Sequence, residues 1–245
     1  MRDEFIYGIN PVQEALRGKR RAFELFVARD ANDRRIARLL EVASQHQVPV
    51  RQRGKEDLAR LCGTVHHQGV VLRLEGFPYA ELADVLAGCR RSEDALLLVL
   101  DSIQDPHNLG ALIRSAACAG GSGVVIPRDR AAGVTAVVEK SSAGAVETIP
   151  IVQVTNLVQA LTEIKSAGFW VFGAVGDAAT SLYDRDLTGR VAMVVGAEGE
   201  GVRPLVRKNC DDLLSIPLKG GVASLNASVA GGIMLFEAVR QRLKR

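Results

Sequence analysis

The 245-residue sequence has few cysteines, and the four it has, Cys62, Cys89, Cys118 and Cys210, are scattered with no C-x-x-C pair. That spacing excludes a zinc framework and a secreted disulfide scaffold, and it predicts reduced thiols. Cys62, His66 and His67 lie close together but have no fourth ligand near them in sequence, so no metal is expected. No apolar run approaches the roughly 20 residues that cross a bilayer, and no apolar signal core follows the opening MRDEF. The expectation is a cytoplasmic protein with no membrane partner. Internal repeats and low-complexity segments are missing too. So are the dinucleotide pattern G-x-G-x-x-G and the P-loop pattern, because the one glycine-rich turn after an apolar run reads G-x-x-G-x-G.

What is present is an ordinary globular composition, 47% hydrophobic, enough for one large core or two modest ones. The net charge of +3 is uneven. Residues 1–75 carry 14 Lys and Arg against 10 Asp and Glu, a net of +4; the other 170 carry 17 against 18, a net of −1. The basic front suggests an amino-terminal module that meets nucleic acid.

In that module Asn10, Pro11 and Gln13 form a capping pattern, so a short helix is expected over 11–16, closed by Gly18. Arg17, Lys19, Arg20 and Arg21 cluster at its exit. Four phosphate contacts from such a cluster would weaken binding about 50-fold between 50 and 200 mM salt. Residues 23–28, 48–52 and 70–74 read as strands, and 34–47 and 56–61 as helices. His66, His67 and Gln68 could offer hydrogen bonds to RNA or serve as turn residues. A linker is placed at 76–94, where Gly76, Pro78 and a charged run fall. The domains are thus 1–75 and 95–245.

From residue 95 strand and helix signals alternate: strands over 96–100, 123–126, 147–154, 169–175, 191–195 and 213–218, helices over 109–119, 134–140, 157–167 and 230–243. Alternation of this kind means an α/β fold with a parallel sheet covered on both faces. Ligands of such sheets bind beyond the carboxyl ends of the strands, where the turn 196–201 with Glu198 and Glu200 would fall. Carboxylates there would repel a pyrophosphate and tolerate a cationic ligand or a neutral ribose. Ser224 and Asn226 precede the last helix, as caps or as ligand contacts. Asn108 at the start of another helix has the same two readings. Arg114, the only charged residue between Asp105 and Arg128, reads as a charge on a solvated face or, among Leu, Ile, Ala and Gly, as a cation that needs an anionic partner.

Three ordered segments carry a resemblance: LDSIQDPHNLGALIRSAACAGG over 100–121, GAEGEG over 196–201, and SIPL followed by SLNASVA over 215–230. They resemble the three motifs of the SpoU branch of the SPOUT methyltransferases, and FIYGINPVQEAL and HHQGVVL extend the likeness to nearly the whole chain. The resemblance implies a small RNA-binding domain, a methyltransferase domain with a carboxyl-terminal trefoil knot, and a homodimer. It implies S-adenosyl-L-methionine as cofactor and the ribose 2′-hydroxyl of a guanosine in 23S rRNA as substrate.

Residue by residue, it makes Asn108, Arg114, Glu198, Ser224 and Asn226 catalytic, and Gly196, Ile216 and Leu225 cofactor-binding through their backbone. It also sets residues 141–145 (SSAGA) beside the substrate. Arg114 stays protonated above pH 12, so it suits charge stabilisation and leaves the general base open. Ala227, where the family often has a larger aliphatic residue, concerns packing alone. The rivals are an enzyme acting on transfer RNA or another rRNA site, a non-catalytic RNA-binding assembly factor, and a nicotinamide-dependent dehydrogenase.

Overall fold

The computed structural model describes residues 3–18, 20–29, 33–221 and 224–244. Lys19 of the basic cluster lies outside them. The chain forms two compact units, Met1–Pro78 with Val134–Val137, and Tyr79–Gly133 with Val138–Arg245.

The first unit runs β1 (Asp3–Tyr7), α1 (Ile9–Arg17), β2 (Ala22–Ala28), α2 (Arg34–Gln45), β3 (Val50–Arg53), α3 (Lys55–Cys62) and β4 (Val70–Glu75). Its sheet has the order β1-β4-β2-β3, antiparallel except for the β2–β3 pair. Strand side chains alternate between faces. Leu25, Val27, Val70, Leu72 and Leu74 therefore share one core with Val12, Leu16, Ile36 and Leu39 from α1 and α2. Phe26, Ala28 and Val71 point the other way and meet only Leu58 and Leu61 of α3, with Phe5 and Cys62 beside them. Strand β1 escaped the sequence reading because Asp3 and Glu4 break its apolar pattern; it sits at a sheet edge, where charge is tolerated.

Asn10 does not cap α1. The cap position is Gly8, at φ 89°, and the Ile9 N–H donates to Oε1 of Gln68, 3.0 Å away and 59 residues on. Pro11 still lies within the first turn, where a missing N–H is harmless. The HHQ segment thus serves the fold. His67 is buried, donates from Nε2 to the Lys55 carbonyl at 3.1 Å and accepts the Gly69 N–H at Nδ1; only His66 of the pair is exposed.

The second unit runs α4 (Leu82–Cys89), β5 (Ala95–Asp101), α5 (Pro106–Cys118), β6 (Gly123–Pro127), α6 (Ala136–Ser141), β7 (Ile151–Val154), α7 (Leu157–Ser166), β8 (Trp170–Ala174), β9 (Thr180–Ser181), β10 (Arg190–Gly196), α8 (Pro204–Lys208), β11 (Asp212–Ser215) and α9 (Ala227–Arg242). The first residues of α6, up to Val137, belong to the first unit. The sheet has the order β7-β6-β5-β10-β8-β11-β9 with every pairing parallel.

Strand β5 is buried at all seven positions, as a strand covered on both faces must be. Helices α4 and α7 cover one face over Leu97, Val99, Val171, Ala192 and Val194. Helices α5 and α9 pack on each other and cover the other face, over β6 and β10. Leu82, Val85, Leu86 and Cys89 of α4 are buried in this core, so the stretch read as a linker at 76–94 contains a packed helix of the second unit.

The strand expected over 147–154 starts only at Ile151, after a single 3-10 turn at Ala145–Glu147. The strand expected over 213–218 stops at Ser215, two residues before Pro217, which cannot donate to a ladder. The last helix begins at Ala227, three residues earlier than expected.

Candidate active site

Strands β5, β10, β8 and β11 are neighbours, and a cavity of about 390 Å³ opens where β8, β10 and β11 end. It is lined by Val195, Gly196 and Glu198 after β10, by Ile216 and Leu218 after β11, and by Ser224, Leu225 and Ala227 at the start of α9. All three residues expected to bind cofactor, Gly196, Ile216 and Leu225, are therefore in one cavity wall. The volume is within the usual range for small-molecule sites, about 300–1,000 Å³.

The turn after β10 needs its glycines. A Cβ on Gly196 would stand 2.0 Å from the carbonyl carbon of Gly201, because the chain folds straight back through the Gly201 N–H to Ala197 carbonyl bond of 2.8 Å. Gly199 and Gly201 take φ of 80° and 65°, which L side chains rarely adopt.

That tight turn presents Glu198 to two helices at once. Its Oε1 accepts from Asn108 Nδ2 at 2.8 Å, from Asn226 Nδ2 at 2.5 Å and from the Ala227 N–H at 3.4 Å; Asn226 Nδ2 also reaches Asn108 Oδ1 at 3.0 Å. Three residues far apart in sequence thus close into one hydrogen-bonded group. Asn226 is also the N-cap of α9, its Oδ1 accepting from the Ser228 and Val229 N–H groups, so capping leaves its Nδ2 turned to Glu198. For Asn108 the cap reading fails. The cap of α5 is Asp105, which accepts from the His107 and Asn108 N–H groups and frees the Asn108 amide to turn toward Glu198.

Arg114 stands apart from this group. It lies six residues along α5, about 9 Å by helical rise, and is exposed, with no hydrogen bond or ion pair to a described residue. Of its two readings in sequence, the solvated face is the one observed: the outer face of α5 leaves the Arg114 side chain in solvent. Ser224 is exposed on the cavity rim. The SSAGA segment packs against the first turns of α5: Ser141 Oγ donates to the Pro106 carbonyl at 3.3 Å, and a Cβ on Gly110 would collide with Ser141 Oγ at 1.9 Å.

Asp101 and Arg203 were missed as a pair. Asp101 ends β5 with no exposed surface, in register with Gly196, and receives the Arg203 N–H at 2.8 Å, Arg203 Nε at 2.6 Å and Ser102 Oγ at 3.2 Å. The Asp101 carboxylate therefore anchors the far end of the loop that carries Glu198. Ser102 beside it has a φ of 63°, a strained value for a non-glycine residue. The available signal was a carboxylate ending a wholly apolar strand. Cys210 is held as a thiol, its pKa pushed up to about 12, chiefly by burial and then by Asp211. Among the described residues no group of three or more His, Cys, Asp or Glu could hold a metal, and no helix is long and apolar enough to cross a membrane.

The SpoU rRNA Methylase family matches residues 95–236, and the family described as RNA 2'-O ribose methyltransferase substrate binding matches residues 5–80. The chain is 42% identical over 247 residues to the 23S rRNA (guanosine-2'-O-)-methyltransferase RlmB of Vibrio vulnificus, covering 99% of each. It is 42% identical over 243 residues to the protein of that name from Escherichia coli, covering 98% of this chain and 99% of the other. Among solved structures it resembles the SpoU methyltransferase AviRb of Streptomyces viridochromogenes in complex with AdoMet, with a TM-score of 0.63 and 26% identity over 99% of this chain and 92% of that one. The chain belongs to the SpoU rRNA methylase family.

Proposed function

We propose that this protein transfers a methyl group from S-adenosyl-L-methionine to the ribose 2′-hydroxyl of a guanosine in 23S rRNA. The observation that carries the reading is the union of Asn108, Glu198 and Asn226 beside the cavity. The choice of nucleotide and of RNA rests on the full-length relatives.

The cofactor supplies an activated methyl on a sulfonium. The residues present suit it: the cavity has room, its lining is largely apolar, backbone groups of the 196–201 turn are bared by glycine, and a cationic ligand is tolerated near Glu198. Gly196, Ile216 and Leu225 would hold it through main-chain groups. What the chain must add is orientation and a way to stabilise the oxygen as its proton leaves. Arg114, exposed and unpaired among the described residues, can stabilise the developing alkoxide and grip the adjacent phosphate with its planar fork. Glu198 fixes Asn108 and Asn226, which leaves Arg114 free for substrate.

The reading includes a homodimer and the trefoil knot. Val229 and Phe236 of α9 and Leu243 at its carboxyl cap are 49%, 48% and 82% exposed at seven-residue spacing, an apolar stripe that supports self-association. The insertion of β10 between β5 and β8 supports threading. Action on rRNA supports a cytoplasmic location, and the match of residues 5–80 to a substrate-binding family supports the amino-terminal unit as the RNA-binding domain.

The test is transfer of a labelled methyl group to unmodified 23S rRNA, with transfer RNA and small-subunit rRNA in parallel, followed by mass mapping. A single 2′-O-methylguanosine in the large-subunit RNA is expected. Methyl on transfer RNA alone would move the target, and none on any RNA would overturn the reading.

A further inference from the structure

Within the basic cluster most visible in the sequence, Arg20 is occupied by the protein itself and Arg21 is partly so. Arg20 is 11% exposed in its side chain and bonded to Glu4 at 2.5 Å, and Arg21 lies over the Phe23 ring at 5.5 Å. A second set of arginines, dispersed in sequence, converges on a different surface. It forms on the sheet face turned away from α1 and α2, which the eight residues of α3 cover only in part.

Arg51 and Arg53 alternate onto that face from β3, Arg73 comes from β4, Arg29 follows β2, and Arg60 comes from α3; together they line an open concavity of about 780 Å³. Glu24 and Asp57 line it as well, and Asp3 pairs with Arg73 at 3.5 Å, so five arginines against three carboxylates leave a net charge of +2. Glu24 pairs with Arg51 and Arg73, and Asp57 with Arg60. Arg29 and Arg53 have no ion pair with a described residue, although the Arg29 N–H to Arg53 carbonyl bond of 3.1 Å sets them side by side.

Arginines on an edge strand such as β3 also discourage edge-to-edge pairing. That purpose explains neither Arg29, beyond its strand, nor Arg60, on a helix. A guanidinium matches phosphate with two parallel donors, so a concave array of them suits a polyanion with several phosphates in a row. Arg51 and Arg53, two residues apart on one strand, have Cα atoms about 6.7 Å apart and can reach different anions. The only aromatic side chain in the lining, Phe26, is 5% exposed, so no platform is offered for stacking bases. The surface therefore reads backbone and not sequence.

We propose that this half-open arginine face, centred on Arg29 and Arg53, is where the amino-terminal unit holds the phosphate backbone of its RNA. The proposal rests on the reading of that unit as RNA-binding and gives it a face.

The test uses the full-length protein, an unmodified 23S rRNA transcript, and affinity measured by filter binding from 50 to 200 mM salt. With about 0.7 salt-slope units per contact, R29Q/R53Q is expected to lower the slope by about 1.4 and to weaken binding about 25-fold at 100 mM. R29K/R53K, which keeps the charges, is expected to restore the slope. R17Q/R21Q is expected to change affinity less than threefold. Melting curves and S-adenosylmethionine titration identify any variant that has lost its fold. An unchanged slope in R29Q/R53Q, with loss in R17Q/R21Q, would overturn the face while sparing the RNA-binding reading. Equal loss in both would overturn the assignment to this face. No loss in either would overturn the RNA-binding reading itself.

Discussion

Around the seven-stranded sheet Arg190, Arg203 and Arg242 turn inward onto protein oxygens, whereas on the half-open face of the four-stranded sheet several arginines turn outward. Arg242 gives Nη2 to the carbonyls of Ala95 and Gly189 at 3.0 and 2.8 Å; Arg190 serves the carbonyls of Ser92 and Arg90 at 3.2 and 3.0 Å. Arg203 does the same for the buried carboxylate of Asp101. In the first unit Arg29 has no such partner among the described residues, and Arg51 is 61% exposed in its side chain.

Coverage explains the contrast. A parallel sheet buried on both faces leaves carbonyls at its strand ends that need donors away from water. A sheet with one half-open face leaves its arginines in solvent, available to an external anion. What an arginine does here follows from the layer beneath it and not from how many neighbours in sequence share its charge.

Arg114 is the sharpest way to break that rule, being an outward arginine on the inward-turned unit. Arg114→Ala is expected to lower methyl transfer about 1,000-fold, as loss of a donor to a developing oxyanion does, while melting and cofactor titration stay as in the parent. Unchanged transfer would make Arg114 a solvated surface residue.

The inward pair should show in stability instead. Asp101→Asn is expected to cost about 3 kcal/mol in urea unfolding, because it removes one partner of a buried pair. Glu24→Gln, which frees the exposed Arg51, is expected to cost under about 1 kcal/mol. Equal costs would erase the difference between the two sheets.

Asn226→Ala is expected to lose about 1 kcal/mol through the cap of α9 and, with it, most methyl transfer through Glu198. A full loss of stability with intact transfer would confine Asn226 to capping.

The smallest effect concerns Glu237 on α9, where Arg240 at 2.6 Å, and after it Gln241, hold the carboxyl below its ordinary value of 4.5 against the opposing effect of burial. A depressed carboxyl contributes stability that is fully present above its ordinary value and lost as pH falls through the lower folded one. Chemical denaturation of Glu237→Gln should therefore differ from the parent at pH 6 and converge on it as pH falls from 4.5 through the lower folded value.

Much of this architecture was legible. The parallel sheet followed from strand and helix signals alternating after residue 95, and the glycine turn with its acids marked one wall of the cavity before any coordinates. What could not be read was long-range choice among equivalent groups. Asn10 looked like a better cap than Gly8 because nothing local announces that Gln68 will supply the acceptor. Asp105, three residues before Asn108, carries its own cap signal, but only the fold reveals that the spared amide finds Glu198, 90 residues on. The arginine face was invisible for the same reason, since its members come from two strands, a turn and a helix.

The junction at Glu198 also sets a schedule. One carboxylate oxygen ties Asn108 to Asn226, partners separated by 118 positions in the chain. During synthesis Asn108 of α5 is made 118 residues before Asn226, so a chain halted after β11 carries most of the sheet and lacks the residue that closes this group. The hydrogen-bonded group beside the cavity is therefore among the last features that the growing chain can complete.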